Sequence, residues 1–266
     1  MTKPPARVRI DRLLVDRGLV ESREQAARHI LAGEVAVDGK RVDKVGTLVA
    51  PGAEIDLGTR SPYVSRGGEK LAHALDAFQV KIAGRVCVDV GASTGGFTDC
   101  LLQRGAARVF AVDVGTAQLD AKLRKDPRVV VMEQTNARTL DPRIFGDQPT
   151  LATIDVAFIS LEKILPAVFG VLAPRGEVVA LVKPQFEVGR EHVGKGGVVR
   201  DPALHRAAVQ RLARYSVLRG WHVLACTASP LRGPKGNREF FLHCSSHGRT
   251  ASDLESMIDR SVEALA

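Results

Sequence analysis

Between residues 8 and 57 the spacing of apolar positions changes twice. Ile10, Leu13 and Leu14 recur at helical spacing as far as Gly18, and Ala26, Ala27, Ile30 and Leu31 recur after Ser22. Ser22 is suited to cap that second helix, which should end near Gly33. Val35, Val37, Val42, Val45, Val49 and Ile55 follow, separated by the turn signals Asp38-Gly39 and Pro51-Gly52, so short antiparallel strands are predicted. From Gly58 to Gly68 the pattern is that of a connector. Pro62 restricts Ser61, and Gly67-Gly68 stand just before a helical repeat of Leu71, Ala74, Leu75 and Phe78. The organisation expected is a small α+β unit over 1–59, a linker over 60–66 and a larger domain over 67–266.

In the larger domain apolar runs alternate with helical patterns. Strands are predicted at 85–90, 108–113, 129–133, 150–156, 177–182, 222–229 and 239–243, with helices at 98–103, 161–172 and 202–218. Such a series gives a Rossmann-like α/β fold with a mostly parallel seven-stranded sheet. Only the loop LRGPKGN joins the last two strands, so they should pair antiparallel at one edge. An amphipathic helix over 252–265 closes the chain.

Composition narrows the possibilities. The 266 residues carry a net charge of +8, which suits a polyanionic partner. The start MTKPPAR has no apolar segment, and the apolar stretch 151–173 is interrupted by Asp155, Glu162, Lys163 and Pro166. No membrane span is expected, and a cytoplasmic location follows. Cys87, Cys100, Cys226 and Cys244 form no CxxC pair and the histidines no HExxH arrangement, so no metal site is expected.

The run Val88-Asp89-Val90-Gly91-Ala92-Ser93-Thr94-Gly95-Gly96-Phe97 is a strand breaking into small residues before a helix. Small residues let backbone approach a ligand closely, and the helix start offers unpaired amides. The spacing is neither GxGxxG nor GxxxxGK[ST], which disfavours dinucleotides and nucleotide hydrolysis and leaves S-adenosylmethionine as the leading ligand. In an open α/β sheet, ligands sit beyond the carboxyl ends of the strands. Asp113 at the end of the second strand can accept hydrogen bonds from ribose hydroxyls, Asn136 after the third can help fix the adenine, and Asp155 ends the fourth. Asp113 and Asn136 are equally compatible with simple turns.

The acceptor is constrained by what surrounds Asp155. Asp155-Val156-Ala157-Phe158 lacks the two prolines common in enzymes that methylate exocyclic amines, and no cysteine is placed as a nucleophile for carbon methylation. A ribose hydroxyl is a weak nucleophile and needs help losing its proton. Lys183, between the apolar run VVALV and Pro184, is placed to take that proton. As a base it must be neutral, which burial and a second cation favour, and Lys70 is the candidate cation. Asp155 and Glu239 could orient both amines. The glycine-rich loop 188–202 either closes over the target nucleotide or is a plain surface loop.

Two resemblances join these observations. RIDRLLVDRGLVESREQAARHILAGEVAVDGKRVDKVGTLVAPGAEI resembles the S4-like RNA-binding domain shared by a ribosomal small-subunit protein, pseudouridine synthases and tyrosyl-tRNA synthetases. This implies that the helix pair faces RNA, with Arg12, Arg23, Arg28, Lys40, Arg41 and Lys44 offered to phosphates. YVSRGGEKL, VDVGASTGGFT, QTNAR, DVAFISL, LVKPQFEVG and GPKGNREFFL resemble the TlyA group of ribosomal RNA 2′-O-methyltransferases, relatives of the FtsJ methyltransferases. That resemblance implies a class I methyltransferase domain, S-adenosylmethionine as donor, and cytidine in 16S or 23S ribosomal RNA as acceptor. Its Lys-Asp-Lys-Glu set falls on Lys70, Asp155, Lys183 and Glu239. The sequence leaves the oligomeric state open, with a monomer favoured over an oligomer. Two other readings stand beside this one: a non-catalytic ribosome-assembly factor on a methyltransferase-like fold, and a membrane-lysing protein, since the group also carries a haemolysin label.

Overall fold

The computed structural model describes residues 6–31, 33–42, 44–58 and 61–264. Its chain divides into two units, Met1–Arg66 and Gly67–Ala266. In the first, a two-stranded pairing of β1 (Val8–Arg9) leads into helices α1 (Ile10–Asp16) and α2 (Arg23–Leu31). Ser22 caps α2 as its chemistry suggests, its Oγ accepting the Gln25 amide at 3.1 Å. Asp38 and Gly39 take positive φ of 50° and 71°, which suits a two-residue hairpin turn. That turn joins β2 (Val35–Val37) to β3 (Lys40–Val42). β4 (Leu48–Val49) pairs with β1, and β5 (Ile55–Leu57) pairs with β2. Ile10, Leu14, Ile30 and Val35 lie at the centre of this unit's core.

The second unit opens with α3 (Gly67–Ala77), whose first turn already contains Gly67 and Gly68. β6 (Val86–Val90), α4 (Gly96–Gln103), β7 (Arg108–Val112), the short α5 (Ala121–Arg124) and β8 (Val129–Met132) follow in right order for a βα series. β9 (Leu151–Ile154), α6 (Leu165–Val171) and β10 (Glu177–Val182) continue it. After α7 (Pro202–Leu218) come β11 (His222–Ala228), β12 (Phe240–Ser245) and α8 (Leu254–Glu263). The helix expected over 161–172 is divided into a 3-10 turn, Leu161–Lys163, and α6, because Pro166 has no amide to donate and fits only a first turn. The closing helix is shorter than expected, and residue 265 lies outside the described residues.

The seven strands run β11-β12-β10-β9-β6-β7-β8. β12 is antiparallel to both neighbours and the remaining pairs are parallel, as the short LRGPKGN connection requires. Both faces are covered. Phe240, Leu242 and Cys244 join the core formed with α6, α7 and α8, while Phe241 faces Phe97 and His243 stacks on Phe78. This two-sided burial explains strands that read as continuous apolar runs. The order reverses between β6 and β9, which opens a crevice at their carboxyl ends.

One polar side chain inside the sheet has consequences for stability. Asp89 on β6 is wholly buried and accepts hydrogen bonds from the hydroxyls of Thr98, at 2.7 Å, and Thr153, at 3.2 Å. Burial, aided by the charge of Asp155, pushes its carboxyl from 3.8 up to about 7. The folded-state value lies above the unfolded one, so ionisation costs stability as pH rises from 3.8 to about 7, and the cost is constant beyond. An asparagine keeps both hydroxyl partners and does not titrate. The melting temperature of Asp89→Asn relative to the parent should therefore climb across that range and level off above it; a difference independent of pH would contradict this.

Candidate active site at the carboxyl edge of the sheet

The loop after β6 is built to leave backbone open at the crevice. The amides of Gly91 and Ala92 both donate to the Val112 carbonyl, at 2.8 and 3.0 Å, and the Gly95 amide donates to Ala92. Gly91, at φ 86°, lies so close to the next switch-point strand that a Cβ would stand 2.4 Å from the Asp155 carbonyl oxygen. At Gly95, φ 99°, a Cβ would meet Leu123 at 2.3 Å. Only glycine satisfies both backbone angle and space there. Ser93 also has positive φ, 48°, and the loop passes through Ala92, Ser93 and Thr94 to Gly96 and the buried Phe97 at the start of α4.

Asp113, immediately after β7, holds this loop in shape. Its two carboxylate oxygens accept the amides of Ser93, at 2.8 Å, and Gly115, at 2.7 Å. Each oxygen retains a lone pair for a further donor. Asn136 accepts the Arg138 amide at 3.0 Å and so caps a short 3-10 turn, which leaves its side-chain amide as a donor. These contacts show the turn role of both residues, in positions compatible with a ligand role. The cradle fits an adenosine-bearing sulfonium: small residues at close approach, open amides at a helix start, and an acid at the end of the neighbouring strand.

Four charged side chains converge beside the cradle through strand register. Val182 of β10 pairs with Phe240 of β12, so Lys183 and Glu239 emerge from adjacent strand ends; Asp155 follows β9, which is paired with β10 on its other side. Lys183 Nζ lies 2.5 Å from Asp155 Oδ1. The contact lacks hydrogen-bond alignment, so the amine is held close without a directed bond. Lys70, in the first turns of α3, donates to Glu239 Oε2 at 2.6 Å, with Glu239 almost fully buried. Glu239 also needs Gly233, where a Cβ would lie 2.5 Å from Oε1. Each carboxylate therefore serves one lysine, rather than both being shared.

Other residues of this region were not singled out by the sequence reading. Phe158, three residues beyond Asp155, is 90% exposed with φ 64° and packs against Phe186, three residues beyond Lys183, at 5.2 Å between centroids. A bulky residue held in the left-handed region is strained, a frequent mark of functional segments. Val114 is an exposed apolar residue directly after Asp113. Buried Asn237 fastens the loop 188–202: its Oδ1 accepts the Val199 amide at 2.9 Å and its Nδ2 donates to the Gly197 carbonyl at 2.8 Å. The loop is thereby tied to the segment that carries Glu239. Their signals in the sequence, an aromatic after the acid and an asparagine in GPKGNRE, were present but ambiguous.

On the small unit, Arg12, Arg23, Arg28, Lys40 and Lys44 are all exposed. Arg12 pairs with Asp16, while Arg23 and Arg9 share the buried carboxylate of Asp11. The Arg9 guanidinium, with burial opposing it and Arg23 assisting, holds that carboxyl down at about 2. The side chain of Arg41 lies outside the described residues. Among the described residues no group of His, Cys, Asp and Glu could hold a metal, and no helix is long and apolar enough to cross a membrane.

Sheet order, loop and the acid after β7 together define a class I S-adenosylmethionine-dependent methyltransferase. The FtsJ-like methyltransferase model matches residues 63–245, and the S4 domain model matches residues 8–55. The chain belongs to the FtsJ-like methyltransferase family, in its TlyA group. It is 48% identical to the 16S/23S rRNA (cytidine-2′-O)-methyltransferase TlyA of Mycobacterium tuberculosis, over 96% of this chain and 97% of that one. A solved structure described as a hemolysin from Streptococcus thermophilus superposes with a TM-score of 0.77 at 44% identity, over 97% of this chain and 95% of the other. A solved structure from Listeria monocytogenes shares the fold, with a TM-score of 0.52 at 15% identity, over 69% of this chain and 99% of that one.

The Lys70 and Glu239 pair yields a direct test. Removing one member of a buried pair strands the other charge, at roughly 3–5 kcal/mol, whereas replacing both by apolar groups is far milder. Lys70→Met should lower unfolding stability in urea by about 3 kcal/mol, and Lys70→Met combined with Glu239→Leu should recover most of that. Additive losses would show that the two side chains are not coupled.

Proposed function

We propose that this protein transfers the methyl group of S-adenosylmethionine to the 2′-hydroxyl of a cytidine in ribosomal RNA. The observation that carries the reading is the pair of ammonium–carboxylate contacts, Lys183 with Asp155 and Lys70 with Glu239, at the same sheet edge as the Gly91–Gly96 loop. The S4 domain, the net charge of +8 and the activity named for the M. tuberculosis relative support RNA as substrate. That relative's name covers both 16S and 23S RNA, and we extend the same pair of candidate substrates to this chain. A cytoplasmic site of action follows from a ribosomal substrate.

The bound donor supplies an electrophilic methyl on a positively charged sulfur. The loop from Gly91 to Gly96, with Ala92, Ser93, Thr94 and Phe97, would hold its amino-acid part; Asp113 would accept from its ribose, with Asn136 and Val114 at the adenine. Lys183 takes the 2′-hydroxyl proton as the oxygen–carbon bond forms and the carbon–sulfur bond breaks. Asp155 holds that amine in place and stabilises the ammonium it becomes. Lys70 and Glu239, fixed on each other, present a donor and an acceptor that orient the hydroxyl. Phe158 offers an exposed aromatic face on which a base drawn out of its stack can lie.

Lys183→Ala removes the proton acceptor and leaves the Gly91–Gly96 loop unchanged. Transfer of tritiated methyl to ribosomal RNA should fall at least about a thousandfold, the scale of losing a general base, while the donor binds within a factor of about three by calorimetry. Undiminished transfer in this variant would remove Lys183 from its role. Donor binding without transfer by the unaltered protein would favour a non-catalytic assembly factor.

A further inference from the structure

We propose that Glu187 is a positioning residue for methyl transfer: its buried carboxylate ties the segment after Asp155 to the segment after Lys183 and so sets the spacing of the two. The proposal rests on the functional reading above and adds a residue to it. Glu187 is 4% exposed and belongs to neither ion pair. Its Oε2 accepts from Ser160 Oγ at 2.7 Å and from Arg211 at 3.0 Å, and its Oε1 accepts the Leu161 amide at 2.9 Å. Arg211 also pairs with Glu162 at 3.0 Å, so α7 braces the same segment from behind.

These contacts close a ring. Ser160 lies five positions after Asp155, and Glu187 four positions after Lys183. One side of the ring is closed by the Asp155–Lys183 contact and the opposite side by Ser160 and Glu187. The short arm is stiff: the Phe186 amide donates to Lys183, and the amides of Glu187 and Val188 donate to the Pro184 carbonyl. The exposed Phe158 and its neighbour Phe186 sit one on each arm. A carboxylate is a costly choice for such a buried position, where an apolar side chain would serve packing alone; burial indeed pushes its carboxyl upward. What a carboxylate supplies, and an apolar group does not, is three directed acceptor contacts at once. Displacement of a reacting group by about 1 Å can cost a hundredfold in rate, so a brace of this kind acts on catalysis without touching substrate.

Glu187→Gln keeps an acceptor for the Leu161 amide but turns donors toward Arg211 and Ser160. With ribosomal RNA as acceptor, kcat should fall at least about tenfold, while KM for RNA and the calorimetric Kd for S-adenosylmethionine stay within about threefold. Ser160→Ala removes the Oγ contact to Glu187, together with the cap that this Oγ makes on the Glu162 amide at 3.2 Å, without stranding a charge. It should give a smaller loss in kcat alone, and it carries the test if the glutamine variant fails to fold. Unchanged kcat in the variant that folds would overturn the proposal. So would a parallel loss of kcat, donor affinity and thermal midpoint, which is what a merely structural residue would show. An inactive parent protein would overturn the underlying methyl-transfer reading, and this proposal with it, whereas an active parent with an unaffected variant overturns the proposal alone.

Discussion

The contact between Gly91 and the backbone of Asp155 is the constraint on which the site depends. There the chain that has wound outward through β7 and β8 returns beside β6, and the Gly91–Gly96 loop is pressed against the carbonyl of Asp155, whose side chain lies against the Lys183 amine. Without a side chain at Gly91 the two strand ends meet directly, and the Asp155 amide completes the join by donating to the Val90 carbonyl at 2.9 Å. The loop proposed to cradle the donor and the strand ends that carry Asp155 and Lys183 are therefore parts of one sheet edge, and the spacing of these segments is set by backbone.

Electrostatics then divides the labour. Among the described residues, Lys70 and Lys183 each have their own carboxylate partner, and the two pairs differ in burial. Glu239 is essentially excluded from solvent and bonded to Lys70, which suits a fixed orienting device, since such a pair is expensive to break. The Asp155 and Lys183 side chains are the more exposed of the two pairs, and their contact is not a directed hydrogen bond, which suits the proton exchange proposed for Lys183. The same crevice carries Phe158 in a strained, solvent-facing position, a cost that folding alone does not explain.

Much of this was legible because local chemistry and global fold agree. The Asp38-Gly39 turn, the Ser22 cap and the apolar runs of β6, β7 and β10 each have a short-range cause, and the antiparallel edge follows from a connection too short for a crossover. The division of 161–172 into two pieces reflects Pro166, whose cost in a helix interior outweighs the apolar periodicity on either side. Contacts between distant residues were legible only through family resemblance. Lys70 and Glu239 are 169 positions apart, and no periodicity links them. Glu187, Asn237 and Phe158 were hidden for a different reason: glutamate, asparagine and phenylalanine in loops are usually ordinary, and only burial or exposure in the folded chain sets these three apart.

On the function proposed, this sheet edge delivers a methyl group to a ribose oxygen of ribosomal RNA. The most direct measurement is a nucleotide-resolution map of 2′-O-methylation in 16S and 23S RNA from cells with and without the protein. One cytidine should carry the modification only when the protein is present. Identical maps from the two cell lines would contradict it.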